Sequence, residues 1–178
     1  MNIAFFAYPH SIHDAKWINR LSEKHKIIVF CQKFDQKRNL LFPSVKVYDV
    51  LPSTYSFFSL LKNIKIISQL RKIIERNQVE IIHTLYAFPY VFWSGKISQP
   101  HIITTRGSDI LIEYQKLDFP KGIKQKMSFF ILKSLYERHF NNAYAITSTS
   151  IAQQKLISTF ILKLSSCNFN FSHKDNIL

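Results

Sequence analysis

The sequence predicts an α/β chain built on a doubly wound, mainly parallel sheet with helices on both faces. Three observations carry that prediction. Short apolar runs of strand length alternate with longer stretches in which apolar residues recur every three or four positions. Glycine is scarce, three in 178 residues with six prolines, so there is little turn material for a sandwich or barrel. Apolar residues make up 47% of the chain, enough for one packed domain.

Ile3 to Tyr8 is almost wholly apolar and Pro9 ends it, which suits a central strand buried on both faces. Pro9 to Asp14 reads as a loop. Ala15, Ile18 and Leu21, with Trp17 as a further candidate, then fall at helical spacing up to Lys24. Lys26 to Cys31 is a second buried strand, which completes a βαβ unit. After a polar, basic loop from Lys33 to Pro43, Val45 to Val50 alternates as a third strand nearer a sheet edge. Ser56 to Asn77 is the best-defined helix, with Leu60, Ile64, Ile67, Leu70 and Ile74 on one face and Lys62, Lys65, Gln69, Lys72 and Arg76 on the other. That basic face suits a solvated helix or one that touches an anionic membrane.

Val79 to His83 is a fourth strand. Ala87 to Lys96 is a short aromatic helix stopped by Gly95 and Pro100, and His101 to Thr105 a fifth strand. Lys121 to Phe140 is expected to be helical with Ile123, Met127, Phe130, Ile131 and Leu135 facing the core, and with Phe129 and Leu132 off that stripe. Ala143 to Ser148 is a sixth strand, and Ile151 to Ile157 a helix capped by Ser150. From about Phe160 the periodicity fails, so the chain divides into a domain at 1–157 and an irregular tail at 158–178.

The fifth strand leads into Arg106-Gly107-Ser108-Asp109. In a chain so poor in glycine, Gly107 stands where an apolar strand ends in polar groups. Gly permits positive φ and close approach of a ligand, and ligands of open α/β sheets sit beyond the carboxyl ends of the strands. The alternative is a plain turn in which Ser108 or Asp109 caps the following segment.

The net charge of +13 attracts polyanions: an anionic membrane surface, nucleic acid or phosphorylated substrates. Nucleic acid is not expected as a partner, because no helix-turn-helix, RNA-recognition or zinc motif is present. No P-loop, nucleophile elbow or spaced metal-ligand set occurs, so neither metal nor cofactor is expected. Cys31 and Cys167 have no redox or metal spacing and suit a reducing compartment. The amino terminus lacks the pattern of a signal peptide, and no run of about 18 apolar residues is present.

Four segments in register resemble one family. They are Met1 to Phe6 with the helix Lys16 to Lys24 and the strand Ile27 to Phe30; Val79 to His83; Thr104 to Ile110; and Ala143 to Ser150. Their order and spacing resemble the N-terminal domain of a family 4 glycosyltransferase, over roughly Met1 to Ile157. The resemblance implies one Rossmann-like half of a GT-B fold. That half would bind a glycan or lipid-linked acceptor for surface polysaccharide synthesis, in the cytoplasm or at the inner face of the membrane. The donor half of such enzymes binds a nucleotide-sugar as substrate, without a cofactor or bound metal, and carries a Glu–seven residues–Glu pattern that occurs nowhere in this chain. The expectation is therefore a domain cut short or out of frame, or one half of a split enzyme with the donor domain on another chain, inactive alone.

The resemblance also implies site residues. The family's glycine-bearing loop after the first strand corresponds to Tyr8 to Asp14, which has no Gly; His10, Ser11 and His13 occupy it. The two imidazoles are candidates to contact an anion. Arg106 stands where many relatives have a cleft-lining His, as a fixed cation. Gly107, Ser108 and Asp109 complete the turn, with Asp109 expected to orient Arg106 or a sugar hydroxyl. His83 and Tyr86 are expected on the same rim. The competing class is a non-enzymatic peripheral membrane or polyanion-binding module, suggested by the basic helix faces and by off-stripe Phe129 and Leu132.

Overall fold

The computed structural model describes residues 1–52, 64–118 and 122–159. Six parallel strands form one sheet: β1 (Asn2–Phe6), β2 (Lys26–Cys31), β3 (Lys46–Asp49), β4 (Ile81–Thr84), β5 (His101–Thr105) and β6 (Ala145–Ser148). The order is β3-β2-β1-β4-β5-β6, the doubly wound arrangement with its switch point between β1 and β4. The helices are α1 (Ile12–Ser22), α2 (Lys65–Arg76), α3 (Ala87–Ser94), α4 (Ile123–Asn141) and α5 (Ile151–Ser158). The expected helix from Ser56 is therefore described only from Lys65 on. Its earlier part lies outside the described residues, as do Lys121 and the tail from Phe160.

The central strands are apolar on both faces because both faces are covered. Ala4, Phe6, Ile28, Phe30, Ile82 and Ile103 point into a core shared with α2, α3 and α4. Ile3, Phe5, Ile27 and Val29 point the other way, against Ala15 and Ile18 of α1 with Leu41 and Val45. Burial of these side chains supplies most of the driving force, roughly 1.5–3 kcal/mol for each large one.

Several expectations on the helices are corrected. α1 begins at Ile12, inside the expected loop, because Ser11 caps it: its Oγ accepts from the Asp14 amide at 3.3 Å. Trp17 points to solvent, and Asp14 takes the inward position one turn before Ile18. Ile64, at the start of α2, is exposed, whereas Ile67, Leu70 and Ile74 are buried. The register of α4 is the largest reversal. Ile123, Met127 and Phe130 are 90%, 68% and 74% exposed, while Leu132, Tyr136 and Phe140 are buried and Phe129 packs on the core, as does Leu135, as expected. Both sets step by three or four residues, so periodicity alone does not choose between them. The core takes the set with more aromatic volume: Phe88 stacks on Tyr136 at 4.8 Å, and the Tyr136 hydroxyl donates to the Pro89 carbonyl at 3.1 Å. Phe129 and Leu132 are thus core residues and carry no argument for a membrane. Ser150 caps α5 as expected, its Oγ accepting from the Gln153 amide.

Candidate functional site

The carboxyl ends of β1, β4 and β5 meet at the switch point, where the crossover helices diverge to opposite faces, the position at which open α/β sheets bind ligands. β5 runs into Arg106, and the chain then turns at Gly107, whose φ is +100°. An L side chain there would be strained, and a Cβ would stand 3.3 Å from the Gln153 amide nitrogen. Gln153 is itself fastened, accepting from the Thr105 hydroxyl at 2.8 Å and donating to the Thr149 hydroxyl at 2.9 Å. The glycine therefore lets the β5 turn lie against α5.

Asp109 is the anchor of this turn. It is fully buried, and its carboxylate accepts from the backbone amides of Ala87 (2.7 Å), Arg106 (2.9 Å) and Ile110 (3.0 Å). Burial raises its pKa, and those amides pull it back down. The capping role foreseen for Ser108 or Asp109 thus falls to Asp109 in a wider form: it ties the first amide of α3 to the turn after β5. Asp109 orients Arg106 through the backbone, and none of its hydrogen bonds reaches the guanidinium.

The guanidinium is held by Asp14. Arg106 Nη2 lies 2.6 Å from Asp14 Oδ1, with the two side chains 19% and 4% exposed. The second oxygen of Asp14 accepts from the Tyr8 amide at 2.9 Å. Burial pushes the Asp14 carboxyl above its usual range, opposed by the Tyr8 amide, Arg106, Ser11 and His13. One carboxylate so links the end of β1, the start of α1 and the end of β5. Sequence reasoning placed Asp14 at the end of a loop and assigned it no role. A carboxylate three residues after a capping Ser is a capping-box-like signal that could have drawn attention to it.

His83 lies on β4, and its Nε2 is 2.8 Å from the Thr104 hydroxyl, which is 2.7 Å from the Thr147 hydroxyl. This polar ladder crosses β4, β5 and β6. Burial, reinforced by Arg106, lowers the His83 pKa to about 4, so the ring is neutral at pH 7. Tyr86, after β4, shares a 2.7 Å hydrogen bond with Ser108, after β5, and its ring meets Tyr8 edge-on at 5.6 Å. Arg106, Gly107, Ser108, Asp109, His83 and Tyr86 thus share one rim, joined there by Asp14, Thr104 and Thr147. The β1 loop is used differently. His10 Nε2 accepts from the Asp35 amide at 3.1 Å and its ring stacks on Phe34, so it pins the loop after β2. Ser11 is spent as a cap, and His13 is exposed on the first turn of α1.

Chemically, the rim offers a fixed cation that is half-hidden by its carboxylate, flanked by hydroxyls of Tyr86 and Ser108 and by a neutral imidazole. Such a set binds and orients anionic or hydroxyl-rich groups. Among the described residues, no three His, Cys, Asp or Glu side chains are placed to hold a metal ion, and no helix is long and apolar enough to cross a membrane.

A family model described as glycosyl transferase 4-like matches residues 2–150. No curated protein matches the chain. The matched span runs from β1 through β6 to the residue that caps α5, and so takes in every strand of the sheet and every residue of the rim. With its parallel sheet in the order of a Rossmann-like half of a GT-B fold, the chain belongs to the glycosyl transferase 4-like family.

Proposed function

We propose that this domain is the acceptor-binding half of a glycosyltransferase that moves a sugar from a nucleotide-sugar to a glycan or lipid-linked acceptor in surface polysaccharide synthesis, at the inner face of the membrane. The observation that carries the reading is the Arg106–Asp14 pair at the switch point, with Tyr86, Ser108 and His83 on the same rim. A rigid cation and hydroxyls on strand ends would orient an acceptor. Stabilisation of the departing diphosphate would come from a donor-binding domain, on this polypeptide or another. Residues 1–157 would form the domain.

The test is an NMR titration of the 178-residue chain with a sugar diphosphate acceptor analogue and with a neutral oligosaccharide. Shifts should gather at Tyr86, Arg106 and Ser108, and Arg106→Gln should weaken binding of the charged analogue about tenfold. Shifts elsewhere, or none, would overturn the reading. The chain alone should turn over no nucleotide-sugar.

A second reading, attachment to an anionic membrane surface, is favoured by the exposed face of α4. Ile123, Met127 and Phe130 project beside Lys126 around a groove of about 730 Å³, whose wall also carries Glu137 and a Lys133 paired with Asp118. Sedimentation with phosphatidylglycerol vesicles tests it: Phe130→Ser should release the protein, and unchanged binding would sink the idea. The two readings are compatible, since a lipid-linked acceptor is reached at the membrane.

A further inference from the structure

A crevice lies away from the rim, where α2, the end of α3 and the end of α4 meet. It has a volume of about 540 Å³ and is lined by Ser68, Arg71, Gly95, Lys96, Arg138 and His139 among others. No carboxylate lines it among the described residues, and residues 53–63, which precede α2, contain no Asp or Glu. α3 separates the two places: Ala87 at its start is held by Asp109, and Gly95 follows its end.

Among the described residues the cations here have no carboxylate ion pair. Arg71 spends one guanidinium N–H on the Lys96 carbonyl at 3.1 Å. Lys96 sits 4.9 Å above the Phe92 ring. Among the described residues neither Lys96 nor Arg138 has a carboxylate partner. Burial, and then Arg138, lowers the Lys96 pKa. His139 is buried, and its Nε2 has no hydrogen-bond partner among the described residues. Burial, then Lys96 and Arg138, hold its pKa down at about 4. Cations in the last turn of a helix complement its dipole, which accounts for Arg138; it does not account for Arg71, which stands in the middle of α2. The wall is also built to fit. A Cβ on Gly95 would lie 2.4 Å from the His139 ring, so only glycine lets that ring close against the end of α3.

We propose that this groove is a binding site for a phosphate group, carried by a soluble phosphorylated molecule or by a lipid headgroup, with Lys96, Arg138 and Arg71 as its cationic ligands. Arg offers a fork of donors matched to phosphate oxygens and Lys a movable point charge. Phosphate in the groove would relieve the mutual repulsion of these cations and supply an acceptor near the orphaned imidazole. The proposal is independent of the acceptor reading, because the groove shares no residue with the rim.

The test is calorimetric titration of the 178-residue chain with inorganic pyrophosphate, in parallel with sedimentation on phosphatidylglycerol vesicles, at 50 and 150 mM salt. Arg138→Gln and Lys96→Gln should each weaken binding about tenfold, the worth of one charge-assisted contact. Arg76→Gln, an exposed change on α2 outside the groove, should leave it unaltered. If Lys96→Gln fails to fold by circular dichroism, exposed Arg138 still decides the matter. Pyrophosphate binding sensitive to Arg138 supports a soluble ligand; vesicle binding with the same sensitivity, retained in Phe130→Ser, supports a headgroup. No binding to either probe, or equal weakening by Arg76→Gln, overturns the proposal.

Discussion

Acidification should destabilise this domain well before its ordinary carboxylates titrate, because three of its histidines are held neutral by burial. His83 and His139 are lowered to about 4 and His101 to about 3, in each case first by burial, then by Arg106 for His83, by Lys96 and Arg138 for His139, and by the neighbouring imidazoles of His139 and His83 for His101. His101 Nε2 is also within 2.8 Å of the Thr84 hydroxyl, which donates to Ser94 in the core. The folded pKa of each lies below the unfolded value of about 6.5, so the unfolded chain binds the extra protons. Stability is complete above about pH 6.5 and falls as pH drops toward 4. Between pH 7 and 5.5 each histidine costs about 1 kcal/mol, or roughly 3–4 kcal/mol for the three. Against a typical total of about 5–15 kcal/mol, that is a large share. Asp14 and Asp109, whose pKa values burial raises, work in the opposite direction and reduce the net effect at lower pH. The assay is urea unfolding of the 178-residue chain at the two pH values, with proton uptake on unfolding measured by calorimetry in buffers of different ionisation enthalpy. Uptake of about 2–3 protons at pH 5.5 is expected. Equal midpoints at pH 7 and 5.5, or uptake below about one proton, would refute the reasoning.

Other outcomes follow from single residues and are read by thermal or urea unfolding. Gly107→Ala should cost about 1–2 kcal/mol, since φ is +100° and Gln153 stands close to the new Cβ. Gly95→Ala should cost about 1–3 kcal/mol, because the methyl meets the His139 ring and the ring must move. In α4, Leu132→Ala should cost about 2–5 kcal/mol, whereas Phe130→Ser should stay within about 0.5 kcal/mol; the reverse order would mean the helix packs on its other face. Asp109→Ala should be the most damaging change at the rim, about 3 kcal/mol or more, because it strands the buried amides of Ala87, Arg106 and Ile110.

The strands were the most legible part of the chain. Lys26–Cys31 and His101–Thr105 stand where their apolar runs and turn residues put them, and the others shift by one or two residues at their ends. The rim was half legible. Arg106 and Gly107 stood out because a glycine is conspicuous in a chain with so few. Asp14 did not, because nothing local marks a carboxylate that will meet an arginine 92 positions later. His10 and His13 looked like ligands because loop histidines resemble one another in sequence, yet one fastens a neighbouring loop and the other faces solvent.

Local physics therefore determined the class of fold, the alternation of strand and helix, and the place where β5 ends in a polar turn. Each of these depends on residues within a few positions of one another, through apolar periodicity, proline and glycine. Tertiary structure decided which face of α4 is buried, which carboxylate holds Arg106, and which cations gather between α2, α3 and α4. Those outcomes depend on what the sheet brings together from distant segments, and two helical stripes of equal period look alike until one of them meets the core.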